Sequence, residues 1–80
     1  MTHGALRTAV HARIMPDAES GYVATCDEIA VVTQGETLDE VTANLREAVA
    51  LHFDGEDLTR LGFAADPTII VTLELASAHA

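Results

Sequence analysis

The stretch Val31–Val49, VVTQGETLDEVTANLREAV, decides the fold, because a strand, a turn and a helix start follow one another within it. Val31-Val32-Thr33 is a β-branched run of the kind that favours a pleated strand. Gly35 then lets the chain turn. Thr37-Leu38-Asp39-Glu40 fits a capping box, in which the threonine hydroxyl accepts an orphan backbone N–H while Glu40 reaches back. Asp39 and Glu40 in the first turn also complement the helix dipole. From there Leu38, Val41, Leu45, Ala48, Val49 and His52 fall on one face at helical spacing. Asp39, Glu40, Ala43, Arg46, Glu47 and Ala50 lie on or near the other, and Gly55 is placed to end the helix.

Upstream, Leu6, Thr8, Val10, Ala12 and Ile14 alternate with Arg7, Ala9, His11 and Arg13, a period of two that predicts a half-buried strand. Pro16 to Gly21 supplies turn residues for a hairpin loop. Tyr22–Cys26 reads as a second strand, Asp27-Glu28 interrupts the apolar run, and Ile29–Gln34 offers a third. Downstream, residues 56–67 are irregular, with Leu58, Leu61 and Phe63 apolar enough to tuck against the core. After Pro67, Thr68 to Leu75 alternates again, with Ile69, Val71, Leu73 and Leu75 on one face, and forms a fourth strand. The order is β-β-β-α-β, an α+β fold without internal repeats. Short connections make the first three strands an antiparallel meander. A helical crossover then sets strand four beside strand one and parallel to it, with the helix on one sheet face. The other face carries Arg7, His11 and Arg13 and is left to solvent or to a second subunit, so a homodimer or higher oligomer is expected.

The 80 residues make a single domain, 1–80, with its core at about 6–75 and short tails expected to fray at 1–5 and 77–80. Hydrophobic residues are 49% of the chain, enough to exclude disorder, but Tyr22, Phe53 and Phe63 are its only aromatics, which favours a thin two-layer core. Charge is lopsided: thirteen carboxylates face four arginines and no lysine, for a net charge of −9. Most of the carboxylates lie between residues 27 and 57, where Arg46 is the only arginine. Such a surface repels phosphate backbones and attracts a basic protein, so no direct nucleic-acid contact is expected. Solubility alone is the plainer account of the acidity. Cys26 is the only cysteine, so no internal disulfide can form. No secretory leader and no run of ~20 apolar residues is visible, which places the protein in the cytoplasm and off the membrane.

Gly21-Tyr22-Val23, the acidic pair Asp27-Glu28, Thr33-Gln34-Gly35-Glu36-Thr37-Leu38-Asp39-Glu40 and Ala43-Asn44-Leu45-Arg46-Glu47-Ala48 together resemble the HicB-type antitoxin domain. The resemblance covers about Leu6 to Leu75. It implies a β-β-β-α-β unit likened to a truncated ribonuclease H core, which agrees with the topology read from periodicity. It also implies a role, the neutralisation of a small basic partner, the HicA-type ribonuclease toxin. Two departures stand out. The family's Pro-Gly-Cys-like stretch before strand three is Ile29-Ala30-Val31-Val32 here. Full antitoxins also continue into a C-terminal DNA-binding segment, whereas this sequence stops at Ala80, so it resembles the short, stand-alone HicB-like proteins.

Catalysis is not expected. A two-metal nuclease needs carboxylates converging on ions ~3.5–4 Å apart. Strand one offers Arg7, His11 and Arg13 where such a site would want an acid, although Asp27, Glu28 and Glu47 are available. His3, His11, His52 and His79 contain no i, i+4 helical pair of the zinc-ligand kind, and Cys26 reads as a small core residue. No cofactor is expected. The candidate partner-binding residues are Asp27, Glu28, Glu36, Asp39, Glu40 and Glu47, set against arginines and lysines of a toxin-like protein. The alternatives are a solvated helix face on an orphan self-associating domain, or a residual metal-dependent nuclease.

Overall fold

The computed structural model describes residues 5–75. Its elements are β1 (Arg7–Pro16), β2 (Tyr22–Cys26), β3 (Val32–Gly35), α1 (Leu38–Phe53) and β4 (Phe63–Leu73). The strands form one mixed sheet in the order β3-β2-β1-β4. β1 and β3 each pair antiparallel with β2, while β4 runs parallel to β1. This is the α+β topology expected from the sequence. His3 and His79 lie outside the described residues.

α1 starts as the capping residues dictate, with one displacement. Thr37 is extended, and its Oγ1 accepts the Glu40 N–H at 3.1 Å. The Glu40 carboxylate reaches back one residue further than a standard box, accepting the Glu36 N–H at 2.6 Å. The helix closes with the Asp54 N–H donating to the Leu51 carbonyl, and the chain leaves through Gly55 at φ +75°. Val41, Leu45 and Val49 form the buried stripe. Phe53, four residues beyond Val49, continues that stripe. His52, expected on it, is exposed and lies edge-on to the Phe53 ring at 5.5 Å.

Alternation in β1 sorts its side chains as the period of two requires. Val10, Ala12 and Ile14 are buried, while Arg7, His11 and Arg13 are exposed on the opposite face. Ala24 of β2 and Val31 just before β3 complete the sheet side of the core against Val41, Leu45 and Val49. Burying each valine or leucine here contributes roughly 1.5–3 kcal/mol. α1 packs mainly over β3 and β2.

Several strand boundaries differ from the sequence reading. β3 covers Val32–Gly35 rather than 29–34, because the chain bends through residues 27–31 and the Val31 N–H closes on the Ile29 carbonyl at 2.9 Å. β4 begins at Phe63 rather than Thr68. Phe63 pairs with Arg7 and Thr68 with Ala9, so the extra residues bulge out around Asp66, at φ +52°, and Pro67. Asp-Pro therefore marks a bulge inside the strand and not its start. Phe63 is buried against Phe53, ring centroids 5.2 Å apart, whereas Leu61 is exposed and does not tuck against the core.

A close approach fixes the helix on the sheet. A Cβ on Gly35 would lie 2.5 Å from the Val41 nitrogen and 2.8 Å from its Cα, and one on Gly21 would lie 2.5 Å from the Gly35 carbonyl oxygen. Backbone atoms cannot step aside as a side chain can. Gly35→Ala is therefore expected to lower stability by about 2–3 kcal/mol in urea denaturation. Gly55→Ala, whose Cβ meets nothing within 4 Å, carries only the φ penalty, about 1 kcal/mol. Equal losses for the two variants would show that the approach at Gly35 is not the constraint.

Candidate functional site

The meander brings the tip of the β1–β2 hairpin beside the β3–α1 junction, because Tyr22 pairs with Gly35. The hairpin loop is tied by the Asp17 N–H to the Gly21 carbonyl at 2.9 Å, and the Asp17 Oδ1 accepts the Ala18 N–H at 2.8 Å. Across from it, the first turn of α1 presents Glu36 and Glu40. Between loop and helix lies an open hollow of about 470 Å³ whose lining includes Asp17, Glu19, Glu36 and Glu40. No Arg or His is among the described residues lining it. Ser20 Oγ donates to Glu36 Oε1 at 3.5 Å, bridging the two walls, and Asn44 Nδ2 donates to the Gln34 carbonyl at 2.8 Å at the base.

These carboxylates are not equivalent. Glu40 is held by the helix cap, so its first duty is structural. Glu36 makes only the long contact from Ser20 and remains exposed, as do Asp17 and Glu19. The positive end of the helix dipole favours negative charge at this place, which is why acidic residues can crowd here at small cost.

The six residues singled out from the sequence do not form one patch. Glu36 and Glu40 share the hollow, and Asp39 is exposed in the same helical turn. Glu47 is exposed more than two turns along α1. Asp27 and Glu28 follow the far end of β2, about 16 Å of strand away from the hairpin tip. Asp17 and Glu19, absent from that set, sit in the hollow. They read as turn residues in sequence, yet a meander must bring the first hairpin tip beside the end of strand three.

Glu28 has a partner of its own. Its Oε1 accepts the His11 backbone N–H at 2.7 Å, and its Oε2 meets His11 Nδ1 at 2.5 Å. The Asp27 N–H donates to the His11 carbonyl, locking the same corner. Partial burial pushes the Glu28 carboxyl upward, but the hydrogen bonds from the His11 side chain and backbone outweigh it and hold the group below its ordinary value. Cys26 is shifted the other way: burial first, then the charges of Glu28 and Asp27, raise its thiol. It stays protonated near neutrality, which disfavours a nucleophilic role. Among the described residues no group of three or more His, Cys, Asp or Glu side chains is arranged to hold a metal ion.

No family model, curated protein or solved structure matches this chain.

The Glu28 arrangement predicts a pH signature. A carboxylate whose folded value lies below its unfolded one contributes stability above the unfolded value, lost as pH falls through the folded one. Glu28→Gln is expected to cost about 1 kcal/mol at pH 7. Its stability difference from the unsubstituted protein should shrink as the pH falls below about 4.5, the ordinary value of the group. A difference that stayed constant from pH 7 to pH 3 would remove the charged contact to His11 as its cause.

Proposed function

We propose that this protein is a binding module, antitoxin-like in action, whose acidic hollow receives a small basic protein of the HicA-type ribonuclease class. The observation that carries this reading is the gathering of Asp17, Glu19, Glu36 and Glu40 around one concavity with no basic side chain among its described lining residues. Carboxylates so arranged focus a negative potential, which steers a basic partner and sets its register. The motif resemblance to HicB-type antitoxins supports the same role independently of the geometry. The setting is the cytoplasm, and the work is done by binding and not by chemistry. No helix among the described residues is long and apolar enough to cross a membrane.

The hollow refines which residues meet the partner. Glu36, Asp17 and Glu19 are exposed, with only the long Ser20 contact at Glu36 and the neighbouring Ala18 N–H at Asp17, whereas Glu40 and Glu28 are held by the helix cap and by His11. Asp39 is exposed in the same helical turn as Glu40 but is not part of the hollow's lining. Glu47 and Asp27 would meet only a partner large enough to extend beyond the hollow.

A second reading, self-association, is favoured by a separate observation. Ile70, Val71, Leu73 and Leu75 are all exposed on or just beyond β4, at 47, 40, 41 and 72%. Both readings can hold together, with the chain acting as a homodimer or higher oligomer that binds its partner at the hollow.

The test is calorimetric titration with a purified HicA-type ribonuclease at low and at high salt. The double reversal Glu19→Lys with Glu36→Lys is expected to weaken binding by at least about tenfold at low salt, and the loss should narrow as salt rises. Glu40→Lys is a poor probe because it also breaks the helix cap. Absence of binding by the unsubstituted chain at low salt, or indifference to the double reversal, would overturn the reading.

A further inference from the structure

The two edges of the sheet differ. β3, at one edge, is four residues long and lies under α1. β4, at the other, is eleven residues long, and its exposed apolar side chains continue past its end to Leu75. Nothing in the described chain pairs with its outer side. The Glu74 N–H donates to the Ile14 carbonyl at 2.9 Å, so the alternation of a parallel ladder turns the backbone groups of Ile69, Val71 and Leu73 away from β1. These are unpaired donors and acceptors on an apolar strand, a template for another strand. Pro67, with no N–H to offer, ends that template at Thr68.

We infer that the occupant is a second copy of this chain, its β4 running antiparallel to the first β4 about a twofold axis perpendicular to the sheet. The inference rests on the self-association reading above, to which it gives a place and a geometry, and it is independent of what the acidic hollow binds.

Two observations favour a copy over another strand-forming protein. The first is shape. Residues 69, 71, 73 and 75 share the face that carries α1, and beneath Ile69 a groove of about 440 Å³ separates β4 from the helix, lined by Arg46, Val49, Phe53, Pro67 and Ile69. Pairing centred on Val71 sets Leu73 opposite the partner's Ile69 and Leu75 opposite the partner's Pro67. The protruding leucines of each copy thus fall over the groove of the other. One strand supplies both the projection and the recess, as an isologous interface requires.

The second is charge. Each copy carries −9, which would oppose association if the charge were spread evenly. It is not. Arg7 stacks over Phe63 of β4, Arg13 pairs with Glu74 at 3.4 Å, and Arg46 lines the groove with Asp54 and Asp66, so three of the four arginines lie against this edge and offset its three carboxylates. The hollow lies on the β2–β3 side. In a joined sheet of order β3-β2-β1-β4-β4-β1-β2-β3 the two hollows are ~24–34 Å apart, several screening lengths of about 8 Å. A twofold at β4 therefore joins the least acidic edges and keeps the most acidic regions apart.

The test is sedimentation velocity of the full chain over a range reaching about 200 µM, so that a weak dimer is populated. The unsubstituted chain is expected to sediment as a dimer. Val71→Lys and, separately, Leu75→Glu are expected to weaken it by at least about tenfold, while circular dichroism stays unchanged. Leu75 is too exposed for its loss to unfold the monomer. Val32→Lys, at the 71% exposed side chain of the opposite edge, should leave the dimer intact. A monomer throughout the range would overturn self-association altogether. A dimer that survives both β4 substitutions, or yields only to Val32→Lys, would leave self-association standing and overturn β4 as its place.

Discussion

An α-helix about 10 Å wide can cover roughly two strands spaced ~4.8 Å apart, and this chain asks its single helix to serve four. Where α1 lies decides everything else. Its first turn is drawn against β3 by the missing side chain of Gly35, and it covers β2 and the buried alternate residues of β1. It does not reach the outer side of β4. One edge of the molecule is consequently short and overlain by the helix and the other long and bare, although the strands on both sides come from the same alternating pattern. Val10 and Leu45 are fully buried, while Val71 and Leu73, on the same sheet face, remain accessible.

The placement of the helix also separates the charges. Its N-terminus meets the tip of the first hairpin, and the positive end of its dipole makes that corner tolerant of carboxylates. Its side facing β4 carries Arg46. The acidic excess is thereby greatest at the hollow, while on the β4 flank Arg7, Arg13 and Arg46 offset Asp54, Asp66 and Glu74. A chain of net charge −9 thus presents two surfaces of different chemistry, an acidic hollow and an apolar strand edge.

Periodicity made most of the architecture legible. The alternation in residues 6–14, the capping signature at Thr37 and the crossover rule together led to the strand order and to the parallel pairing of β1 with β4. What escaped was decided by tertiary contact. Asp66-Pro67 carries a strong breaker signal, yet the strand runs through it, because Phe63 gains a buried place against Phe53 and a bulge absorbs the mismatch. His52 and Phe53 both lie near the apolar stripe, and the more apolar ring took the half-buried position against the core. The candidate site was legible only in part. Local signals found Glu36 and Glu40 at the helix start, but Asp17 and Glu19 belong to the same hollow through strand pairing, which no local pattern displays. Glu28 stood out as a free acid in sequence, and its contact with His11 depends on a corner that forms only when residues 27–31 bend.

The parallel pairing of β1 with β4 has a consequence for the life of the chain before it is folded. Val10 and Ile69 are partners, though nearly the whole described chain separates them. During synthesis, β1, β2, β3 and α1 leave the ribosome in order and can begin to pack, but β1 keeps a bare edge until the last strand emerges. Contacts of such long range form slowly, because the intervening loop must close first. The nascent protein therefore passes through an interval in which its central strand is exposed as an edge, when a chaperone or a neighbouring nascent copy has its best access to it.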